Sequence, residues 1–268
     1  MLPIKCMFVI GLLAFKAYAI EEHVINVAQK QTIQNAREEY LSELLIRALE
    51  SAQYPSIVNM VAVSLKEQRE LIELDSTKLD VYWSMSSPQR EASAIAIKIP
   101  LFKGYIGKRA LLTNKQNLKR FEKIKTAKQL SKMTAVQGFD WPDTKIMSSN
   151  GLAVRPSNSD LAMFTLVSRG RVDYFPRSFI EVNSELIASK QGNLVVVPNL
   201  YISYPTGIYY FVTNKKPKLA SVIKQGLETM QKNGEFDALF NEYFAKDLNA
   251  LPYTKGKTTE IKLINPFI

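Results

Sequence analysis

Two arginines and two tryptophans in this chain stand beside polar residues at spacings suited to capturing a small ion. Arg90 closes the run S-S-P-Q-R, directly after Ser86 and Ser87. A guanidinium fork matches a carboxylate with two parallel hydrogen bonds, and the neighbouring hydroxyls add donors. The plain alternative is a surface arginine after a Ser-Pro turn. Arg177 stands in F-P-R-S, at the end of a short apolar run over residues 172–175. It either meets a ligand or forms a structural bridge with Asp143 or Glu181. Trp141 and Asp143 fall in F-D-W-P-D-T, which opens a helical stretch. Trp141 suits stacking on a ligand or packing on the first turn. Asp143 suits a ligand amine, or simply complements the positive end of the helix. Trp83 ends the run K-L-D-V-Y-W-S and either lines a cleft or fills a core.

Other chemistries are removed by absence. The only cysteine is Cys6 and the only histidine is His23. One of each, both near the N-terminus, cannot build a disulfide, a Ser-His-Asp site or a Cys- or His-ligated zinc site. No cofactor and no metal are expected. The net charge is +10, and +8 without Lys5 and Lys16. The basic residues are scattered, and the denser runs at 115–128 and 215–218 lack interleaved aromatics. They read as solvated surface, so no nucleic acid is expected as partner.

The elements that must position these residues follow from the pattern. The 268 residues suffice for one large domain or two modest ones, and 46% apolar with 22% charged residues is ordinary globular composition. Residues 1–19 read as a signal peptide: Lys5, a short apolar run over 7–15 and the Ala17-Tyr18-Ala19 cleavage site. Cleavage after Ala19 and export to the periplasm are the expectation. Strands are expected at 24–28, 58–63 and 78–84, with helices at 32–52 and 66–74 between them. This β-α-β-α-β order predicts a parallel sheet with helices on its faces. Residues 95–112 read as a crossing into a second series. That series holds a helix at 126–132, a strand at 134–137, a helix closing at Asn150-Gly151, a helix before Gly170 and a strand at 172–175. Residues 185–189 suit a helix, and 193–197 an extended segment. Residues 208–213 (I-Y-Y-F-V-T) read as a strand crossing back, followed by helices at 217–233 and 235–244. The tail from 251 shows only a short apolar run at 261–264.

This order resembles the family 3 extracellular solute-binding proteins, the periplasmic components of polar amino acid uptake systems. The resemblance rests on D-V-Y-W-S-M-S-S-P-Q-R, on G-R-V-D-Y-F-P-R and on the helix pair from Asn214 to Phe244. It implies an α/β chain with the two-lobed type II periplasmic-binding-protein fold. Each lobe is a mostly parallel sheet flanked by helices, and two crossing strands act as hinge. The lobes are then 20–108 with 205–268, and the inserted 109–204. The resemblance also implies that Arg90 grips a ligand carboxylate, with Ser86 and Ser87 beside it and Trp83, Trp141, Asp143 and Arg177 as further ligand-binding candidates. Amino acid binders of the family usually carry an acid near the position of Arg177, where it holds the ligand ammonium. Here no acid follows until Glu181, which shifts the expectation toward an anionic or dicarboxylate ligand.

The function expected on these grounds is a periplasmic solute-binding protein, a monomer without catalysis of its own. It closes on a small polar, carboxylate-bearing ligand for an uptake system or a membrane sensor. The inner-membrane permease or sensor would be its macromolecular partner. The competing reading is a dehydratase- or lyase-type enzyme on the same fold, with Asp143 or Glu181 as acid or base.

Overall fold

The computed structural model describes residues 22–30, 36–63 and 78–267. Residues 1–19, expected to be a signal peptide, and the helix expected at 66–74 lie outside the described residues. Among those described, no helix is long and apolar enough to cross a membrane.

The first lobe is built on a five-stranded sheet. Its strands are β1 (His23–Lys30), β2 (Ser56–Val63), β3 (Val81–Met85), β4 (Ala94–Ile97) and β10 (Ile208–Thr213), in the order β2-β1-β3-β10-β4. β1 runs parallel to both β2 and β3. β10 enters between β3 and β4 antiparallel to each, with Tyr210 opposite Trp83. Alternation divides the side chains between two faces. Val81 and Trp83 join one core, and Tyr82 joins another with Phe211.

Among the described residues, three helices cover the Trp83 face: α1 (Ala36–Ser51), α7 (Pro217–Asn233) and α8 (Glu235–Asn249). In α1 the buried residues Tyr40, Leu41, Leu44, Leu45, Ala48 and Leu49 fall on one side at helical spacing. In α7 the same role falls to Leu219, Ile223, Leu227 and Met230. Gly226 lets α7 approach α1 closely: a Cβ there would sit 1.8 Å from the Ala48 carbonyl oxygen. Two buried hydroxyls lock the layer, Tyr40 to the Leu101 carbonyl at 2.7 Å and Tyr210 to the Leu41 carbonyl at 2.5 Å. The short α2 (Pro88–Ser93) follows β3, with Pro88 in its first turn and Ser87 as its cap.

The second lobe holds β5 (Lys108–Asn114), β8 (Phe175–Ser178), β9 (Leu194–Ser203) and β11 (Thr259–Lys262), in the order β11-β9-β5-β8. β6 (Thr134–Gly138) and β7 (Ala153–Ser157) form a parallel pair. A bridge between Ala135 and Tyr174 joins this pair to the start of β8. The helices are α3 (Ala127–Leu130), α4 (Pro142–Ser149), α5 (Asp160–Ser168) and α6 (Val182–Ala188). β5 sends Ala110 and Leu112 to one core and Leu111 to the other.

Several expectations are corrected here. Residues 94–97 belong to the first sheet, so the crossing begins after Ile97 and the whole of β5 lies in the second. β5 is antiparallel to both β8 and β9, so the centre of this sheet is not parallel. The strand expected at 172–175 is displaced to Phe175–Ser178. Arg177 therefore lies inside a strand, opposite Ala110, rather than beyond its end. The tail also departs from the first lobe: β11 pairs parallel with β9, with Ile261 opposite Ile202. Ile261 and Leu263 bury themselves in the second lobe, which gives the tail its reason to leave the helix pair.

Among the described residues, three segments thus pass between the lobes. The first two touch where the Tyr204 amide donates to the Gly107 carbonyl at 3.1 Å. Only glycine fits at 107, because a Cβ would lie 2.1 Å from the Tyr204 carbonyl oxygen. The third, after α8, is pinned to the second lobe by the Asn199 amide on the Pro252 carbonyl at 3.0 Å and the Thr254 amide on Asn199 Oδ1 at 2.7 Å.

Candidate functional site: an ionic cluster between the lobes

Three arginines and four carboxylates meet where the lobes face one another. Arg177 comes from β8. Its Nε donates to Glu185 Oε2 at 2.5 Å, and its Nη2 donates to Glu185 Oε1 and to Glu181 Oε2, the latter at 3.2 Å. Both acids sit at the start of α6, four residues apart, so they reach the guanidinium together. The guanidinium also lies 4.9 Å from the Trp141 ring centre and 5.1 Å from that of Phe175.

Arg109 comes from the adjacent β5. Its Nη2 pairs with Asp143 Oδ1 at 2.5 Å and its Nε donates to the Tyr204 hydroxyl at 2.8 Å. That hydroxyl donates in turn to Asp143. Asp143 is in the first turn of α4, where the Pro142 ring and the Trp141 cap start the helix.

Arg37 comes from the first lobe, in α1. Its Nη1 reaches across to Glu181 Oε1 at 2.5 Å, and its Nη2 holds Glu38 Oε1 at 2.8 Å. The other Glu38 oxygen accepts from Trp83 Nε1 at 2.9 Å. Arg109 Nη1 lies 3.9 Å from Glu181 Oε2. Glu181 is thus surrounded by three guanidiniums, one from the first lobe and two from the second.

Burial alone would push the Glu181 carboxyl up, but Arg177, Arg37 and Arg109 outweigh it and hold it at about 2. Burial works against the charge on Arg37 and Arg177, yet Glu181 with Glu38, and Glu185 with Glu181, raise both above the usual arginine range. Glu185 is pushed up by burial, against Arg177 and with help from Glu181. The signs give a pH prediction. The contribution of Glu181 is fully present above the ordinary glutamate range, from about pH 5. It is lost as pH falls through about 2. Glu185 acts oppositely, costing stability as pH rises from the ordinary range through its raised value. Urea midpoints of the native chain should fall steeply between about pH 5 and 2, and Glu181→Gln should lack most of that fall. Parallel profiles for the two proteins would contradict the assignment.

The cluster gathers Trp141, Asp143 and Arg177 from the sequence candidates, and reaches Trp83 through Glu38. Trp83 is 3% exposed and packs edge-on to Tyr210, so its ring belongs to the first-lobe core. Trp141 is half-buried and stacked on Phe175. Arg90, Ser86 and Ser87 form a separate local set around α2. Arg90 Nη1 donates to the Met85 carbonyl at 2.9 Å, the Ser87 hydroxyl accepts from the Arg90 amide at 3.3 Å, and the Ser86 hydroxyl bonds Glu91. Arg37, Glu38, Arg109, Glu185 and Tyr204 were not singled out by the sequence reading. The R-x-x-x-E-x-x-x-E spacing of Arg177, Glu181 and Glu185 is the one signal that could have exposed part of this set.

The architecture is the two-lobed α/β fold of periplasmic binding proteins. No protein-family model matches the chain, and no curated protein matches it in sequence. Solved structures do match. The probable amino-acid ABC transporter extracellular-binding protein ytmK from Bacillus subtilis superposes with a TM-score of 0.65 at 13% identity, covering 85% of this chain and all of that one (100%). A histidine kinase sensor domain similar to periplasmic binding proteins gives 0.61 at 15% identity, covering 83% and 96%. An ancestral amino acid-binding protein, described as a precursor of cyclohexadienyl dehydratase, gives 0.59 at 15% identity, covering 82% and 95%.

Proposed function

We propose that this chain is an exported solute-binding protein of the family 3 type, which closes its lobes on a small polar, carboxylate-bearing ligand. The observation that carries the reading is the concentration of arginine between two lobes of this fold. Guanidiniums placed there suit a carboxylate that both lobes hold at once. On the first lobe Arg90, with Ser86 and Ser87, is assigned to the ligand carboxylate. On the second, Trp141 and Arg177 form the facing wall, while Asp143 and Trp83 hold neighbouring groups in place. The solved relatives support either destination for the ligand signal, a permease in the inner membrane or a membrane sensor. The protein would work in the periplasm as a monomer.

A thermal-shift screen with amino acids, dicarboxylates and short peptides tests this. A ligand at a hundred times its Kd should add about 2.7 kcal/mol by mass action, a rise of several degrees in Tm. Calorimetry of Arg90→Ala and Arg177→Ala with the hit should then show weakened binding, and unchanged affinity in both variants would remove the assignment. A flat response across the panel counts against the function itself.

The dehydratase-like reading is favoured only by the description of the ancestral relative. Its expected acid–base groups are poorly placed for the task. Glu181 is held at about 2, and Asp143 is taken up by Arg109 and Tyr204. Absence of product on incubation with small carboxylic acids is the expected result.

A further inference from the structure

We infer that Arg37, Arg109 and Arg177 form a carboxylate-binding site that bridges the lobes, and that Glu181 is its tethered occupant. The inference deepens the solute-binding reading, and it rests on that reading only for what would displace Glu181. Each Glu181 oxygen is engaged by a different lobe: Oε1 by Arg37 at 2.5 Å, Oε2 by Arg177 at 3.2 Å with Arg109 at 3.9 Å. A carboxylate gripped from two sides in this way is the contact expected of a closing ligand. Here the chain supplies it from its own α6.

The surroundings fit a built site rather than a chance surface pair. The Glu181 and Arg177 side chains are each 10% exposed, and Arg109 is 5% exposed. Each arginine is oriented by a further partner: Arg37 by Glu38, Arg109 by Asp143 and Tyr204, Arg177 by Glu185 and the Trp141 ring. Removing Glu181 would leave those partners in place. Three guanidiniums would still converge on a vacated volume the size of a carboxylate. Two results follow. The lobes are tied together by the protein's own acid, and a second carboxylate of the solute, beyond the one assigned to Arg90, binds by exchanging with Glu181 rather than by entering a vacant pocket.

The test is chemical rescue. Glu181→Ala should lower Tm by roughly 10 °C, as expected for breaking a buried ion pair in a chain of this size. Sodium acetate or propionate should then raise the Tm of that variant by at least about 3 °C, corresponding to about tenfold saturation of the site. Sodium chloride at equal ionic strength should not do so. Neither should acetate act on the native chain or on the double variant Glu181→Ala with Arg37→Ala. A Tm within about 2 °C of the native value, or an equal response to chloride and acetate, would overturn the inference. If Glu181→Ala does not fold, Glu181→Gln is read by small-angle X-ray scattering. A larger radius of gyration than the native chain supports the latch, and coincident profiles overturn it. The experiment uses acetate and no solute, so its outcome is separate from that of the ligand screen.

Discussion

Arg177→Met is expected to destabilise the protein by about 3–5 kcal/mol, measured as a drop in the urea midpoint at neutral pH. Methionine keeps an apolar side chain over Trp141 and Phe175 but removes the fork that holds Glu181 and Glu185. Glu181 keeps Arg37 at 2.5 Å and the more distant Arg109. Glu185 loses the partner that ties it to the cluster through two hydrogen bonds. The cost is therefore mostly that of a half-buried carboxylate left with only the weaker field of Arg37 against its burial. Adding Glu185→Gln to Arg177→Met should recover part of the loss, because the second change removes the stranded charge. A single-variant loss below about 1 kcal/mol would show that the pair behaves as an exposed one.

Gly226→Ala should cost about 3 kcal/mol, seen as a fall in Tm of roughly 10 °C. The sign is not obvious from propensity, since alanine gains about 1 kcal/mol over glycine within a helix. Packing decides it. The added methyl would lie 1.8 Å from the carbonyl oxygen of Ala48 and 2.5 Å from its carbonyl carbon. Backbone atoms cannot rotate aside, so α1 and α7 must separate along their contact. Gly226→Ala should also loosen the Tyr210 hydroxyl bond to the Leu41 carbonyl, which increased hydrogen exchange in α1 would report. A variant as stable as the native chain would mean the helices are farther apart than described.

Much of the fold could be read from spacing alone. Helices α1 and α7 carry apolar stripes, and most of the positions the period selects are buried, from Tyr40 to Leu49 in α1 and at Leu219, Ile223, Leu227 and Met230 in α7. Strand β7 (A-V-R-P-S) escaped because it is mostly exposed and paired only with β6, an edge position that tolerates proline. β8 lies later than the alternation of Val172 and Tyr174 suggests, because the strand proper contains a charged residue that polarity would put outside. Arg177 is buried only because two glutamates from the next helix neutralise it. The site was half legible for the same reason. Trp141, Asp143 and Arg177 come from one lobe and lie near elements with clear signals. Arg37 and Arg109 join them only through tertiary packing, from α1 and β5, and nothing in their local sequence announces it.

The course of the tail past α8 has a mechanical consequence. A body joined to another at two points turns freely about the line between them. A third attachment off that line stops the rotation unless it yields. The pins near 97–108 and 203–208 are joined by the one near Asn199, Pro252 and Thr254. Any opening of the lobes would have to carry the Asn199 contacts with it or break them. Asn199 holds the tail by three hydrogen bonds, to Pro252, Thr254 and Thr258, so it is the point at which a swing of the lobes would first strain the tail against β9.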